Sequence, residues 1–293
     1  MVAVRYGVYV PNNGSYGSVR DLVELAECTE ASGWDGFFTW DTLTAGGTPV
    51  ADAQITLAAI AASTDVVTFG ALVTPLGRRR PWKLAREIAA LAELARGRFV
   101  MGCSTGSGHD FAPFPGEVQT AAERAARFVD AMEMIRQFLS GSPIEWTQSE
   151  RSAGVLGEDP TVLSLKPFLP APVEPVPFWG GASVQRRFEQ KLGPFKRAAK
   201  MLDGLFPVGD PWDSRQPITL EEFARAVDYT FEGSPPPEGF DLVACGCTLT
   251  GQAETSGPGG FANEGATWWL EVFPNDATPA QIRPLIEAGP PRE

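Results

Sequence analysis

Asp41 closes the apolar segment 35–41 (DGFFTWD). A carboxylate at the end of a buried strand can move a proton or hold a ligand's polar edge, and it can equally cap the following loop. Gly180, Gly181, Ala182 and Ser183 close another apolar segment. Small residues there let backbone N–H groups approach an anion at a helix N-terminus, with a hydroxyl added by Ser183. A tight strand-to-helix turn capped by Ser183 needs the same residues. His109 is the single histidine, the side chain that titrates near neutral pH. It follows Ser104, Thr105 and Gly106 in a Gly-rich loop, which suits either acid–base work or plain exposure. Arg78, Arg79 and Arg80 read as a solvated face from which at least one guanidinium can meet an anion. No histidine or cysteine metal site is expected, with one histidine and four cysteines without CxxC spacing; a carboxylate-only site stays open, and no metal is assigned.

The elements that must position these residues alternate along the chain. Strand signals fall at 6–11, 35–41, 66–75, 99–102, 176–179, 202–208, 240–247 and 266–273. Helical spacing and caps predict helices at 18–32, 52–63, 81–96, 121–139, after 183 to about 201, 219–231 and 279–288. Continuous apolar strands alternating with helices indicate a parallel sheet, and eight such units close into a (β/α)₈ TIM barrel; an open doubly wound sheet is the alternative. In a barrel the site lies at the C-terminal ends of the strands, where Asp41 and the 104–110 loop stand. The chain reads as one domain over 1–293, with excursions over the C-terminal mouth at about 104–118 and 140–175. Residues 251–265 hold too many glycines for a full helix. Trp268 and Trp269, neighbours in a strand, must face opposite ways.

Composition narrows the function classes. Lys plus Arg number 24 and Asp plus Glu 36, a net charge of −12. That excludes a general nucleic-acid binder and argues against an anionic membrane surface. No run approaches the ~20 apolar residues of a membrane span, and no signal peptide is read at the start. With the cysteines read as reduced, buried thiols, a cytoplasmic location is expected.

Residues 33–41 (GWDGFFTWD) and 57–102 resemble the bacterial luciferase-like family of flavin-dependent oxidoreductases. So do 124–141 (RAARFVDAMEMIRQFLSG), 177–183 (PFWGGAS) and 198–207 (AAKMLDGLFP), in the family's order. The resemblance implies a barrel with insertions over its mouth and FMN, or the deazaflavin coenzyme F420, bound there. It implies a phosphate on Gly180 to Ser183, and a flavin ring against a third-strand bulge at Gly70, Ala71 and Leu72, with a cis bond expected at Ala71–Leu72. It implies an enzyme, read here as a monooxygenase using reduced FMN and O₂ on a small organic substrate. The alternatives are F420-dependent hydride transfer and a non-catalytic flavin-binding barrel. A separate flavin reductase and a homodimer are further implications. Many relatives have Asp-His where this chain has Asp41-Thr42, which leaves Asp41 and His109 as candidate catalytic residues, with Ser104 and Gly106 beside the cofactor.

Overall fold

The computed structural model describes residues 3–117, 120–148, 162–185, 193–210, 217–250 and 257–291. The first unit is β1 (Arg5–Val10) and α1 (Val19–Ala31), followed by β2 (Gly36–Thr39) and α2 (Ala53–Ser63). Then come β3 (Thr68–Ala71), β4 (Thr74–Pro75), α3 (Pro81–Ala95), β5 (Met101–Ser104) and α4 (Ala121–Leu139). A two-stranded excursion, β6 (Ile144–Thr147) and β7 (Val162–Leu165), precedes β8 (Phe178–Gln185) and α5 (Gly193–Met201). The chain ends with β9 (Gly204–Asp210), α6 (Leu220–Phe231), β10 (Asp241–Gly246), α7 (Pro258–Asn263), β11 (Trp268–Val272) and α8 (Pro279–Glu287).

Nine parallel segments run in the order β3-β2-β1-β11-β10-β9-β8-β5-β4. β3 and β4 are two halves of one broken stave, and both reach β5: Phe69 bridges Phe99, and Thr74 pairs with Cys103. The sheet therefore curls into the expected eight-stave barrel with helices outside. Helix starts follow their caps. Ser18, Asp52, Thr120, Thr219 and Thr278 each accept a backbone N–H three residues on. Strand β3 is entered through Glu30 of α1, whose carboxylate accepts the N–H groups of Asp65, Val66 and Val67. Burial alone would raise the Glu30 pKa, but these three donors, with Arg98 nearby, together take it below the usual value.

Alternate strand residues face the barrel axis. Phe38, Trp179 and Trp268 meet there with ring centroids 5.5 Å apart in each pair, and all three are fully buried. Trp269 points the other way, against Phe261 of α7 at 5.2 Å. The pair divides between core and helix layer as expected. All four cysteines are buried free thiols.

Two expectations need correction. β8 does not end at Trp179: its ladder with β9 runs from Trp179↔Gly204 to Gln185↔Asp210, so Gly180 to Ser183 are strand residues, not a turn opening a helix. Within 140–175, β6 and β7 pair antiparallel with Ile144 and Trp146 buried. The described part of that excursion also lies away from the mouth. Arg86 of α3 donates to the Leu169 carbonyl, and Phe168 packs on Phe138 in the last turn of α4. Glu174 lies against Gly97, just past the end of α3. These contacts sit toward the N-terminal ends of the strands. The 104–117 loop, by contrast, does stand at the mouth. Residues 251–256 lie outside the described residues, and a short helix, α7, follows them.

Candidate functional site

The third stave breaks between Ala71 and Thr74, as the expected bulge requires, but the cis peptide bond is Leu72–Val73, one bond beyond the expected place. The break depends on glycines. A Cβ on Gly70 would lie 2.3 Å from the Val100 carbonyl oxygen, and one on Gly102 would lie 2.1 Å from that of Ala71. Such close backbone approach is open only to glycine. Leu72 N–H donates to the Thr39 carbonyl at 2.7 Å, and Tyr9 Oη donates to the Leu72 carbonyl. Burial pushes the Tyr9 phenol far up, so it stays protonated as a donor.

Over this break lies a cavity of about 740 Å³ at the C-terminal mouth. Leu72 and Val73 form one wall, Gly181 and Ser183 of β8 another, and Phe206 and Val208 of β9 a third. Gly181 contributes space: a Cβ there would press on the Val73 methyls at 2.8 Å. Ser104, Thr105, Gly106 and Ser107 form the rim, with Arg124 of α4 as its cation. The loop is shaped locally. Ser104 Oγ accepts the Gly106 N–H at 3.1 Å, and Asp110 accepts the Ser107 N–H at 2.7 Å.

Asp41 lines the cavity although it is only 4 % exposed. Arg79 Nη2 donates to both of its carboxylate oxygens, at 3.0 and 2.8 Å. Arg78 Nη2 donates to the Asp41 carbonyl at 2.6 Å and lies 3.2 Å from Oδ1, while its Nη1 is 3.3 Å from Asp110. Two of the three consecutive arginines thus turn inward and tie the end of β2 to the 104–117 loop. For Arg78, burial outweighs these carboxylates and lowers its pKa; for Arg79, burial would lower it, but Asp41, with Glu87 and Asp52, together raise it. Asn12, fully buried, accepts the Thr42 N–H at 3.1 Å and donates to the Thr42 and Ala51 carbonyls at 3.0 and 2.8 Å. It fixes the residue next to Asp41.

The structure thus brings Asp41, Leu72, Ser104, Gly106, Gly181, Ala182 and Ser183 to one cavity. Three others do not line it. Gly70 and Ala71 are buried before the break, so the part of the bulge that lines the cavity is Leu72 and Val73. Gly180 points outward, where a Cβ would meet Leu202. His109 is exposed on the loop and does not line the cavity, although Gly108 and Asp110 on either side do. Tyr9, Asn12, Val73, Asp110 and Arg124 were not singled out as site residues in the sequence. Asn12 belongs to a segment, Pro11 to Gly14, that reads simply as a strand-breaking turn. Among the described residues no group of three His, Cys, Asp or Glu could hold a metal ion, and no helix is long and apolar enough to cross a membrane.

Fold and cavity together define a β/α barrel whose C-terminal mouth, opened by a broken third stave, is shaped to take a ligand. The chain belongs to the luciferase-like monooxygenase family, whose model matches residues 4–227. An F420-dependent glucose-6-phosphate dehydrogenase of Beutenbergia cavernae is 32% identical over 160 residues, 53% of this chain and 46% of that protein. The chain spans about half the length of the curated relatives it matches. Among solved structures, a monooxygenase from Streptomyces bottropensis superposes with a TM-score of 0.72 over 97% of both chains, at 15% identity. An F420-dependent secondary alcohol dehydrogenase superposes with a TM-score of 0.63 over 83% of this chain and 68% of the other, at 19% identity. At these identities the structural matches show a shared fold.

Proposed function

We propose that this chain is an oxidoreductase that holds a flavin-type cofactor at the barrel mouth, with the ring against Leu72 and Val73. The observation that carries this reading is the broken third stave opening onto a cavity of about 740 Å³, within the ~300–1,000 Å³ usual for cofactor sites. The residues present suit such a group. Leu72, Val73 and the bare Gly181 offer a flat apolar slot. The hydroxyls of Ser104, Thr105, Ser107 and Ser183, with Arg124, offer partners for a polyhydroxyl chain and a phosphate. When bound, the cofactor supplies hydride or electron transfer. The chain supplies orientation and an apolar enclosure. Asp41, held by Arg78 and Arg79, presents a fixed carboxylate at the mouth as a hydrogen-bond acceptor or base, a task left to it by Thr42 in place of histidine.

The cofactor we assign first is F420, with hydride transfer to or from a small organic substrate. The curated relatives support it, since those matching are named F420-dependent dehydrogenases. The second reading is monooxygenation with reduced FMN and O₂. It is favoured by cavity walls poor in titratable groups and by the end-to-end fold match to a monooxygenase. Equilibrium binding of F420 and FMN, followed by anaerobic and aerobic turnover assays, separates the two. F420 bound and reduced by an alcohol or aldehyde without O₂ supports the first. O₂ consumption with reduced FMN and substrate supports the second. Retention of neither cofactor would sink both.

A further inference from the structure

The lining of the mouth cavity divides by chemistry. Its hydroxyls and its cation, Arg124, come from β5, the loop after it, α4 and β8. The contribution of β1, β2 and β9 is aromatic and aliphatic: Tyr9, Trp40, Phe206 and Val208, with Pro194 of α5. Strand alternation carries Trp40 inward, two residues beyond Phe38. Its indole is half-buried and lines the cavity. Tyr9 backs it, with ring centroids 6.3 Å apart. Tyr9 is held in turn by Phe206, whose ring meets it edge-on at 5.5 Å, and by its hydrogen bond to the Leu72 carbonyl. β1 and β9 are not neighbours in the sheet, so these rings meet across the barrel. The indole is therefore set in place by packing before any ligand arrives, and it offers the offset or edge contacts that a second flat ring favours.

A charged ligand finds no opposite charge to spare there. Among the described residues the lining holds two carboxylates, Asp41 and Asp110, and one cation, Arg124. Asp41 is already paired with Arg78 and Arg79, and Asp110 with Arg78, so neither calls for a cationic ligand. Under the cofactor reading Arg124 faces the cofactor's phosphate, which leaves no lining cation for a second anion. Burying an unpaired charge is costly, whereas apolar surface gains by leaving water.

We propose that the substrate is an uncharged, predominantly apolar molecule bearing a flat ring, held by Trp40, Val208 and Pro194, and not a phosphorylated or polyhydroxylated one. This names the substrate class of the site, and it rests on the cofactor reading for the use of Leu72, Val73 and Arg124.

The test is a calorimetric titration of the whole chain, alone and with saturating FMN or F420, against three probes. These are 2-naphthylmethanol, 2-naphthyl phosphate (a similar ring carrying an anion) and myo-inositol (neutral and polar). The naphthylmethanol is expected to bind one per chain, at least about ten-fold more tightly than the other two, a difference of about 1.4 kcal/mol. Trp40→Ala should lose about that factor with its circular dichroism unchanged, while Trp40→Phe, which keeps a ring, should recover most of the affinity. Gly181→Leu, which fills the cofactor's slot, should leave naphthylmethanol binding nearly unchanged. Equal or tighter binding of the phosphate or of inositol overturns the proposal, and so does unchanged affinity in Trp40→Ala. Loss of the probe in Gly181→Leu places it in the cofactor's slot and overturns it too. A chain that takes up neither cofactor yet keeps the Trp40-dependent preference defeats the cofactor reading and supports the substrate class.

Discussion

Arg79 holds Asp41 through one nitrogen that donates to both carboxylate oxygens, at 3.0 and 2.8 Å, in a site where the Asp41 side chain is 1% exposed. The contact joins the end of the second stave to the turn after the third. Arg79→Met should leave Asp41 under-compensated and cost about 3 kcal/mol of stability. Adding Asp41→Asn should make the total smaller than the sum of the two single costs. Urea denaturation of the four proteins of this cycle measures both; simple additivity would mean that the pair is not coupled.

The slot beside Val73 exists because residue 181 has no side chain. Gly181→Leu should fill it at the cost of a shift of Val73, the residue nearest the added Cβ, and lower the melting temperature by a few degrees. Cofactor affinity should fall at least about ten-fold, or about 1.4 kcal/mol. Fluorescence titration with FMN and F420 reads the result, and an unchanged affinity would move the ring away from this wall.

Gly102 tolerates no Cβ, since the obstacle is the Ala71 carbonyl of the broken stave and not a side chain that can swing aside. Gly102→Ala should cost about 3 kcal/mol through backbone displacement. It should also weaken cofactor binding, because the displaced segment leads into Leu72 and Val73. A well-folded variant with wild-type stability would contradict the close approach.

Glu30 links stability to pH. Its folded pKa lies below its unfolded value, so its contribution is whole above the ordinary glutamate range near ~4.3 and is lost as pH falls through the folded value. Glu30→Gln should therefore lower the melting temperature by a few degrees at pH 7 and converge with wild type as pH falls through the folded value. Scanning calorimetry across that range provides the check.

His109 stands exposed beside the cavity. His109→Ala should leave the pH dependence of turnover between about pH 5 and 8 unaltered, although an imidazole titrates there. A flattened profile would mean that the loop brings the ring inward during turnover.

The barrel could be read from the sequence because its signals are local. Helix α4 occupies the expected span, and the caps at Ser18, Asp52 and Thr219 mark helix starts through hydrogen bonds to residues three positions away. The site is less legible because it is made by distant segments. Val66 to Pro75 reads as one mostly apolar run, and its break near Ala71 is expected through the family resemblance, not from the run itself. The break itself follows from the approach of Val100, just before β5, and of Gly102 on β5. Three consecutive arginines look like a solvated face, and only the meeting of the β2 and β4 ends turns two of them toward Asp41. Gly180 to Ser183 have the composition of a turn, yet the β9 ladder carries them on as strand. Asp110 reads as an ordinary loop residue until Arg78 reaches it.

The three aromatic rings of Phe38, Trp179 and Trp268 stopper the barrel from below. Among the described residues the cavity above the third stave is then closed from below and opens at the mouth, and its contents must queue. Under the proposed reading a ring lying on Leu72 and Val73 goes in first and the substrate covers it. The product must clear the rim before the cofactor can exchange. Steady-state kinetics should then show compulsory order, cofactor on first and off last, as a direct result of where three side chains close the far end.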